Sequence, residues 1–167
     1  MISDARIDSG EATLPSSQLG AMPPLCYGIP NINLHRHNGG EINPSTFVGH
    51  ELVVFFCPAD PVAAAREIES YSALAEAFVA AGAWLICIFS GGSSAETPHL
   101  RKDIHITLAC DQDGSAWDAF ESLLETTGRA EEAAGGAFLF ERGGCLAKAW
   151  PGTGHAENVL NELHRRA

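Results

Sequence analysis

Apolar residues along this chain form short runs of two kinds, which predict alternating strands and helices. Segments 52–56, 84–89 and 104–109 are mostly apolar and rich in β-branched and aromatic residues, as strands buried on both faces of a sheet are. Between residues 61 and 82, apolar residues recur at helical spacing instead. The pattern therefore predicts a strand, a helix and then two further strands over the middle of the chain.

Two helices are marked by residues typical of helix ends. Asp60 and Pro61 predict a helix start, because Asp is a favoured N-cap and Pro fits the first helical position. Gly82 predicts the end of this helix. Ser115 with Asp118 matches a capping box, which predicts a second helix from residue 115 onwards.

The remaining elements complete an α/β pattern. A short strand is predicted at 29–34, and two strands at 136–142 and 145–150 flank a Gly-Gly turn, which predicts a hairpin. Apolar spacing over 155–166 predicts a closing helix. Alternating strands and helices predict an α/β fold with a central mixed β-sheet flanked by helices. This order of elements matches the thioredoxin fold.

Length and composition predict one globular domain. The chain has 167 residues, 46% of them apolar, which suits a single domain. Residues 1–24 are rich in Ser, Gly, Pro and acidic residues and predict a flexible N-terminal arm, so the domain spans 25–167. No apolar run approaches the roughly 20 residues that span a bilayer, and the N-terminus lacks a secretory signal pattern. We therefore expect a cytoplasmic protein.

Charge and cysteine content narrow the classes of function. The formal net charge is −11, which argues against nucleic acid and anionic membranes as partners. The five cysteines are widely spaced and include no Cys-x-x-Cys pair, so a thioredoxin redox motif and a zinc ribbon are both excluded. Reduced thiols are the expectation for a cytoplasmic protein. The cysteines are Cys26, Cys57, Cys87, Cys110 and Cys145.

Two features suggest ligand sites but favour simpler interpretations. His35 and His37 share one face of an extended segment, with His50 nearby in sequence. Zinc sites need three or four ligands with supporting hydrogen bonds, so a polar surface strand is the favoured interpretation. The Gly-Gly-Ser-Ser segment at 91–94 could hold an anion, but it lacks the lysine of a P-loop, and a plain loop is favoured. We predict no metal and no cofactor.

Several segments occur in an order and spacing shared with a known family. In 51–67, an apolar strand leads into Asp60 and Glu67, where the family has Phe-Phe-Tyr-Pro followed by x-Asp-x-Thr-Pro-x-Cys-Thr-x-Glu. Segment 108–114 reads Leu-Ala-Cys-Asp-Gln-Asp-Gly beside the family's Leu-x-x-Asp-x-Asp-Gly. The chain resembles the peroxiredoxins, the AhpC/TSA family, over about residues 25–165. This resemblance implies a thioredoxin-like fold of the peroxiredoxin type and an antioxidant redox background.

The departures from the family fall on its chemistry. In peroxiredoxins a cysteine thiolate at a helix N-terminus attacks the peroxide, supported by a Thr hydroxyl and an Arg. Here the cysteine position falls on Ala63 or Ala64, the Thr-Pro pair is reduced to Pro61, and the Arg position holds Gly135 or Gly136. The resemblance therefore implies a degenerate site and a non-catalytic or binding role. The residues of this site are Asp60, Pro61, Ala63, Ala64, Glu67 and Gly135.

A relocated nucleophile is the alternative. Cys57 replaces the family's Tyr at the end of the core strand, just before the helix that starts at Pro61. Exposed helix amides could favour a thiolate there, which would make the protein a thiol-dependent oxidoreductase or peroxidase. Cys110 or Cys87 would be the resolving residue, although Asp111 disfavours a thiolate at Cys110. Equally, all these thiols could be small buried hydrophobic groups.

Partners follow only from the resemblance. Peroxiredoxins often pair through sheet edges or active-site loops, which implies a homodimer here. A thiol reductant or another protein is the further partner that the family implies.

Overall fold

The computed structural model describes residues 26–36, 39–90, 106–126 and 135–166. The predicted arm at 1–24, His37 and the loop at 91–94 lie outside the described residues. The division into an arm at 1–24 and a domain at 25–167 stays a prediction.

One mixed sheet of seven strands runs through the described part of the chain. The strands are β1 (Leu34–Arg36), β2 (Glu41–Ile42), β3 (Glu51–Phe56), β4 (Ala83–Ser90), β5 (Ile106–Asp111), β6 (Gly136–Phe140) and β7 (Leu146–Pro151). Their spatial order is β2-β1-β5-β4-β3-β6-β7, with β3, β4 and β5 parallel to one another at the centre and antiparallel pairs on either side.

Helices cover both faces of this sheet. They are α1 (Pro61–Ala73), α2 (Ala75–Ala80), α3 (Ser115–Thr126) and α4 (Ala156–Arg166), with a short 3₁₀ turn at Pro44–Phe47. The single helix predicted up to Gly82 is therefore two helices divided at Leu74. The Leu74 amide donates to the Tyr71 carbonyl at 3.1 Å, an i→i+3 bond that tightens the turn.

Several strand boundaries differ from the prediction, and pairing partners decide two of them. The strand predicted at 29–34 is formed at Leu34–Arg36, where β1 pairs with the end of β5. The strand predicted at 104–109 continues to Asp111, in register with β4 from Leu85 onwards; residues 104 and 105 lie outside the described residues. The hairpin and the closing helix are confirmed, with the helix beginning at Ala156.

The central strands divide the core into two layers. Alternate residues of β3 face α1 and α4 on one side and α3 on the other. On the first side Phe55 stacks on Tyr71, with ring centroids 3.7 Å apart. On the second, Phe120 packs against Phe56 and Phe138. This two-sided burial explains why β3 reads as a continuous apolar run.

The start of α3 is capped by a different residue from the one predicted. The two carboxylate oxygens of buried Asp111 accept hydrogen bonds from the amides of Ala116 and Trp117 at 3.1 and 2.9 Å. The predicted capping box is wrong, because the Asp118 amide bonds a backbone carbonyl and Ser115 is already the first helical residue. A carboxylate at the strand end thus satisfies the helix amides.

Candidate functional site

The α1 helix begins where the resemblance places the family's reactive thiol. Strand β3 ends at Phe56, and the chain turns into α1 through Asp60, whose side chain accepts a hydrogen bond from the Ala63 amide at 2.9 Å. Pro61 is the first helical residue, so the predicted helix start is confirmed. The Asp60 carboxylate occupies the positive end of the helix.

The first turn of α1 presents only aliphatic side chains. Val62 is 61% exposed, Pro61 is exposed, and Ala63 and Ala64 are half-buried. The Ala64 methyl packs against the core of the sheet. With a carboxylate at the cap, this end of the helix disfavours a second negative charge.

The two glycines at the family's Arg position are closed to larger side chains. Gly135 has a φ of +99°, and a Cβ atom built on it would lie 2.8 Å from the Phe56 carbonyl oxygen. A Cβ on Gly136 would lie 3.1 Å from the Trp150 carbonyl oxygen. A side chain at Gly135 would require the backbone to move and would be strained by the positive φ, and a side chain at Gly136 would crowd a backbone carbonyl.

Cys57 and Cys87 lie side by side beneath this helix turn. Cys57 follows β3 directly, and its amide donates to the Ile88 carbonyl of β4 at 2.9 Å. Its Sγ atom is 3.2 Å from Cys87 Sγ and 3.9 Å from the Ala64 carbonyl oxygen. Cys57 is 5% exposed and Cys87 is fully buried. Burial, then Cys57 and Glu67, raise the pKa of Cys87 well above its usual value.

Glu67 and Tyr71 of α1 complete a buried cluster with these two thiols. Glu67 Oε1 accepts a hydrogen bond from the Gly154 amide at 3.0 Å. Burial raises the pKa of Glu67, and the Gly154 hydrogen bond opposes that rise. The pKa of Tyr71 is raised by burial and by Glu67, Cys87 and Cys57, and its hydroxyl has no hydrogen-bond partner among the described residues. We call these four residues the buried cluster.

Cys110 lies farther from Cys57 than Cys87 does. It pairs with Phe89 on the far side of β4, so two strand spacings, or about 9.6 Å, separate its backbone from that of Cys57. Disulfides require Cα separations below about 7 Å. Burial first, and Asp111 second, raise the pKa of Cys110, in the direction expected from the sequence. Cys87 is therefore the sulfur that the fold sets beside Cys57.

The remaining two cysteines are joined to each other. Cys26 and Cys145 form a disulfide with a Cα–Cα distance of 5.1 Å, so the expectation of reduced thiols is wrong for this pair. A bridge between Gly28 and Cys145, and a 2.7 Å hydrogen bond from the Leu146 amide to the Tyr27 carbonyl, align the two segments. Because the cysteines are 119 residues apart, their spacing contains no sign of the pairing.

The described residues contain neither a cluster of metal ligands nor a membrane-spanning helix. His35 lies on β1, and the ring of His50 packs edge-on against Trp84, with centroids 5.8 Å apart. No three His, Cys, Asp or Glu side chains in the described ranges are grouped as metal ligands. Within the same ranges, no helix has the length and apolarity needed to cross a membrane.

Comparisons with known proteins give a consistent result. Residues 27–149 match the model of the AhpC/TSA family, and no curated protein matches the chain. Peroxiredoxin Q from Xanthomonas campestris superposes with a TM-score of 0.65 at 21% identity, covering 81% of this chain and 92% of that chain. The bacterioferritin comigratory protein of X. campestris superposes with a TM-score of 0.64 at 22% identity, covering 81% of this chain and 90% of that chain.

A third structure extends the likeness beyond these two. The exposed lipoprotein thioredoxin Etrx1 from Streptococcus pneumoniae gives a TM-score of 0.58 at 16% identity, covering 81% of this chain and 99% of that chain. At such identities the likeness concerns the fold. The predicted thioredoxin-like fold of the peroxiredoxin type is thereby confirmed.

Proposed function

The chain belongs to the AhpC/TSA family, and we propose on this premise that it is a non-catalytic, binding member whose usual peroxidase site is lost. The observation that carries the proposal is the first turn of α1, where Ala63 and Ala64 present methyl groups in place of a thiol. The Asp60 cap and the closed position at Gly135 agree with it.

Peroxide reduction requires a nucleophile that can meet its substrate and donors that polarise the O–O bond. The alternative nucleophile, Cys57, is only 5% exposed and lies beneath the Ala64 carbonyl. Reactive cysteines sit in partly exposed, electropositive surroundings. Burial therefore counts against Cys57 as a thiol that contacts protein substrates, and the oxidoreductase function ranks second.

The aliphatic turn at Pro61, Val62 and Ala63 is the surface that we propose for binding. A net charge of −11 makes most of the surface repel a second copy of the chain, so an uncharged patch is where two copies can meet. The family resemblance implies a homodimer. A second copy of the chain is therefore the partner that we propose for this turn.

The loss of catalysis is tested by the rate of peroxide consumption with an excess of a small dithiol reductant. We expect wild type and Cys57→Ala to consume peroxide equally slowly, at the rate of ordinary thiols. Ala63→Cys should gain a thiol at the helix end that dimedone labels after peroxide treatment, which shows that the assay detects such a group. Rapid turnover by wild type that Cys57→Ala abolishes would instead establish the oxidoreductase.

Binding through the aliphatic turn is tested by sedimentation velocity. We expect wild type to sediment as a dimer and Val62→Glu as a monomer, since a buried unpaired charge disfavours association. Val79→Glu, at a residue of α2 that is also exposed, is the matched control and should leave the dimer intact. A monomeric wild type, or equal effects of the two variants, would refute this surface.

A further inference from the structure

We propose that a cleft between strands β1 and β2 and the start of β4 is a binding site for neutral saccharides, with the Trp84 ring as its stacking surface. The cleft has a volume of about 580 Å³, within the range of about 300–1,000 Å³ that small-molecule sites have. Trp84 is the register partner of Leu52, so the cleft lies about 13 Å along the sheet from Phe56, where β3 leads into the α1 turn. The inference therefore goes beyond the proposed function and does not depend on it.

Trp84 supplies a large apolar surface at the side of this cleft. It lies on the same face of β4 as Ile86 and Ile88, which are buried in the core layer that contains α3, yet Trp84 itself is 48% exposed. Phe47 and His50 hold the indole from two sides, with ring centroids 5.7 and 5.8 Å from that of Trp84. A fixed and half-exposed aromatic ring beside a cavity is a surface on which a flat ligand can pack.

Three asparagines orient hydrogen-bond donors towards the same cleft. The Asn43 side-chain oxygen accepts from the amide and the hydroxyl of Ser45 at 3.0 and 2.7 Å, so its nitrogen must act as the donor. That nitrogen donates to the side-chain oxygens of Asn31 and Asn33 at 2.6 and 3.1 Å. Asn33 lines the cleft, and because its oxygen is used by Asn43, its two N–H groups are left for a ligand.

Charged and hydroxyl side chains add to the polar lining. Arg36, Glu41 and Thr107 all line the cleft. The Arg36 amide donates to the Gly40 carbonyl at 3.0 Å, and Glu41 is the register partner of His35, so the sheet fixes both backbones. The guanidinium offers only donors, the carboxylate only acceptors, and the Thr hydroxyl offers both.

A pyranose sugar matches the two halves of this lining. The C–H groups on its ring faces are apolar and pack on an indole, while its hydroxyls donate to a carboxylate and accept from amide and guanidinium groups. Glu41 and the net charge of −11 disfavour a phosphate or another anion. A purely apolar ligand would leave Asn33, Arg36 and Glu41 without partners. The class that fits is a neutral sugar with equatorial hydroxyls, whose ring faces are flat.

The indole N–H signal of Trp84 gives a direct test on the full chain. The protein has three tryptophans, and Trp84→Phe identifies the Trp84 cross-peak in a nitrogen–proton NMR spectrum by its loss. Cellotetraose, a neutral chain of β-linked glucose, is titrated to about 10 mM, which detects millimolar affinities. We expect a saturable shift of the Trp84 cross-peak, with the cross-peaks of Trp117 and Trp150 unmoved.

Variants assign the contacts through saturation transfer from the protein to the cellotetraose protons. Trp84→Ala should weaken binding about tenfold or more, because the stacking surface is lost. Asn33→Asp keeps the oxygen that accepts from Asn43 but removes the N–H donors, and should weaken binding about three- to tenfold. Tyr27→Ala is the matched control and should bind as wild type does, because Tyr27 is also an exposed aromatic residue, at 37%, but does not line the cleft.

Three results would overturn the saccharide site. The first is a Trp84 cross-peak that does not move, with no saturation transfer to cellotetraose. The second is equal binding by wild type and Trp84→Ala. The third is tighter binding of glucose 6-phosphate than of glucose, which would identify an anion site. Circular dichroism melts establish that each variant is folded, and if Trp84→Ala does not fold, wild type and Asn33→Asp still decide the test.

Discussion

Two pairs of cysteines lie at different depths in this protein and have different states. A disulfide at the surface joins Cys26 to Cys145, which lies in the turn between β6 and β7. Cys57 and Cys87 are reduced and lie in the core, Cys57 directly after β3 and Cys87 on the adjacent parallel strand β4, with their sulfur atoms 3.2 Å apart. The disulfide of the surface pair links residues that are 119 positions apart in the sequence. The core pair is not bonded and lies where two neighbouring strands are already hydrogen-bonded. The same residue type therefore serves long-range closure in one place and close packing in the other.

The contrast bears on the compartment in which the protein works. Disulfides such as Cys26–Cys145 are typical of oxidising environments and rare in the cytosol. The cytoplasmic location expected from the sequence therefore stays a prediction. The core pair, shielded from solvent, would keep its thiols in conditions that oxidise the surface pair.

The largest effect is expected from breaking the surface pair. Cys145→Ser should lower the free energy of unfolding by about 2–5 kcal/mol without reductant, because the bond closes a long loop in the unfolded chain. Urea unfolding followed by circular dichroism measures this loss. Cys26→Ser should lose the same amount, and the double variant no more. A double variant with twice the loss would contradict the pairing.

In the presence of a reductant, substitution in the core pair should lower the free energy of unfolding more than substitution in the surface pair. In its presence, Cys145→Ser should be as stable as reduced wild type, since no bond remains to be lost. Cys87→Ser should still lose about 1–3 kcal/mol, because it places a hydroxyl in an apolar core. Urea unfolding of the three proteins in reductant is the measurement. If Cys87→Ser has the same free energy of unfolding as wild type, the introduced hydroxyl finds a hydrogen-bond partner in the core, which would contradict an apolar environment.

The smallest effect concerns the pH dependence that Glu67 confers on the buried cluster. Burial raises the pKa of Glu67 above its usual 4.5. Its contribution to stability is therefore full below that value and is lost as the pH rises through the higher folded-state pKa. Glu67→Gln should thus gain stability relative to wild type as the pH increases above 4.5, measured by urea unfolding at several pH values.

The matched control for this pH series is Glu69→Gln, an exposed residue of the same helix. Its stability difference from wild type should stay nearly constant over the same range. If Glu67→Gln instead lost stability relative to wild type with rising pH, the Glu67 carboxylate would be stabilised as an anion in the folded protein.

Local patterns predicted most of the elements. The strand β3 and the helix start at Asp60–Pro61 could be predicted because they depend on neighbouring residues alone. Boundaries failed where a partner strand decides them, as at β1. The prediction of the α3 cap failed for a related reason, because the capping residue Asp111 lies at the end of β5.

The cysteine partners needed the folded sheet. The sequence left both Cys87 and Cys110 as candidates for the partner of Cys57, and strand order with register separates them. The Cys26–Cys145 bond joins chain segments that meet only once β6 and β7 are formed. Hydrophobic periodicity is a property of short segments, and it suffices to predict most of the elements. Contacts between distant residues depend on how those elements are ordered and aligned, which no short segment records.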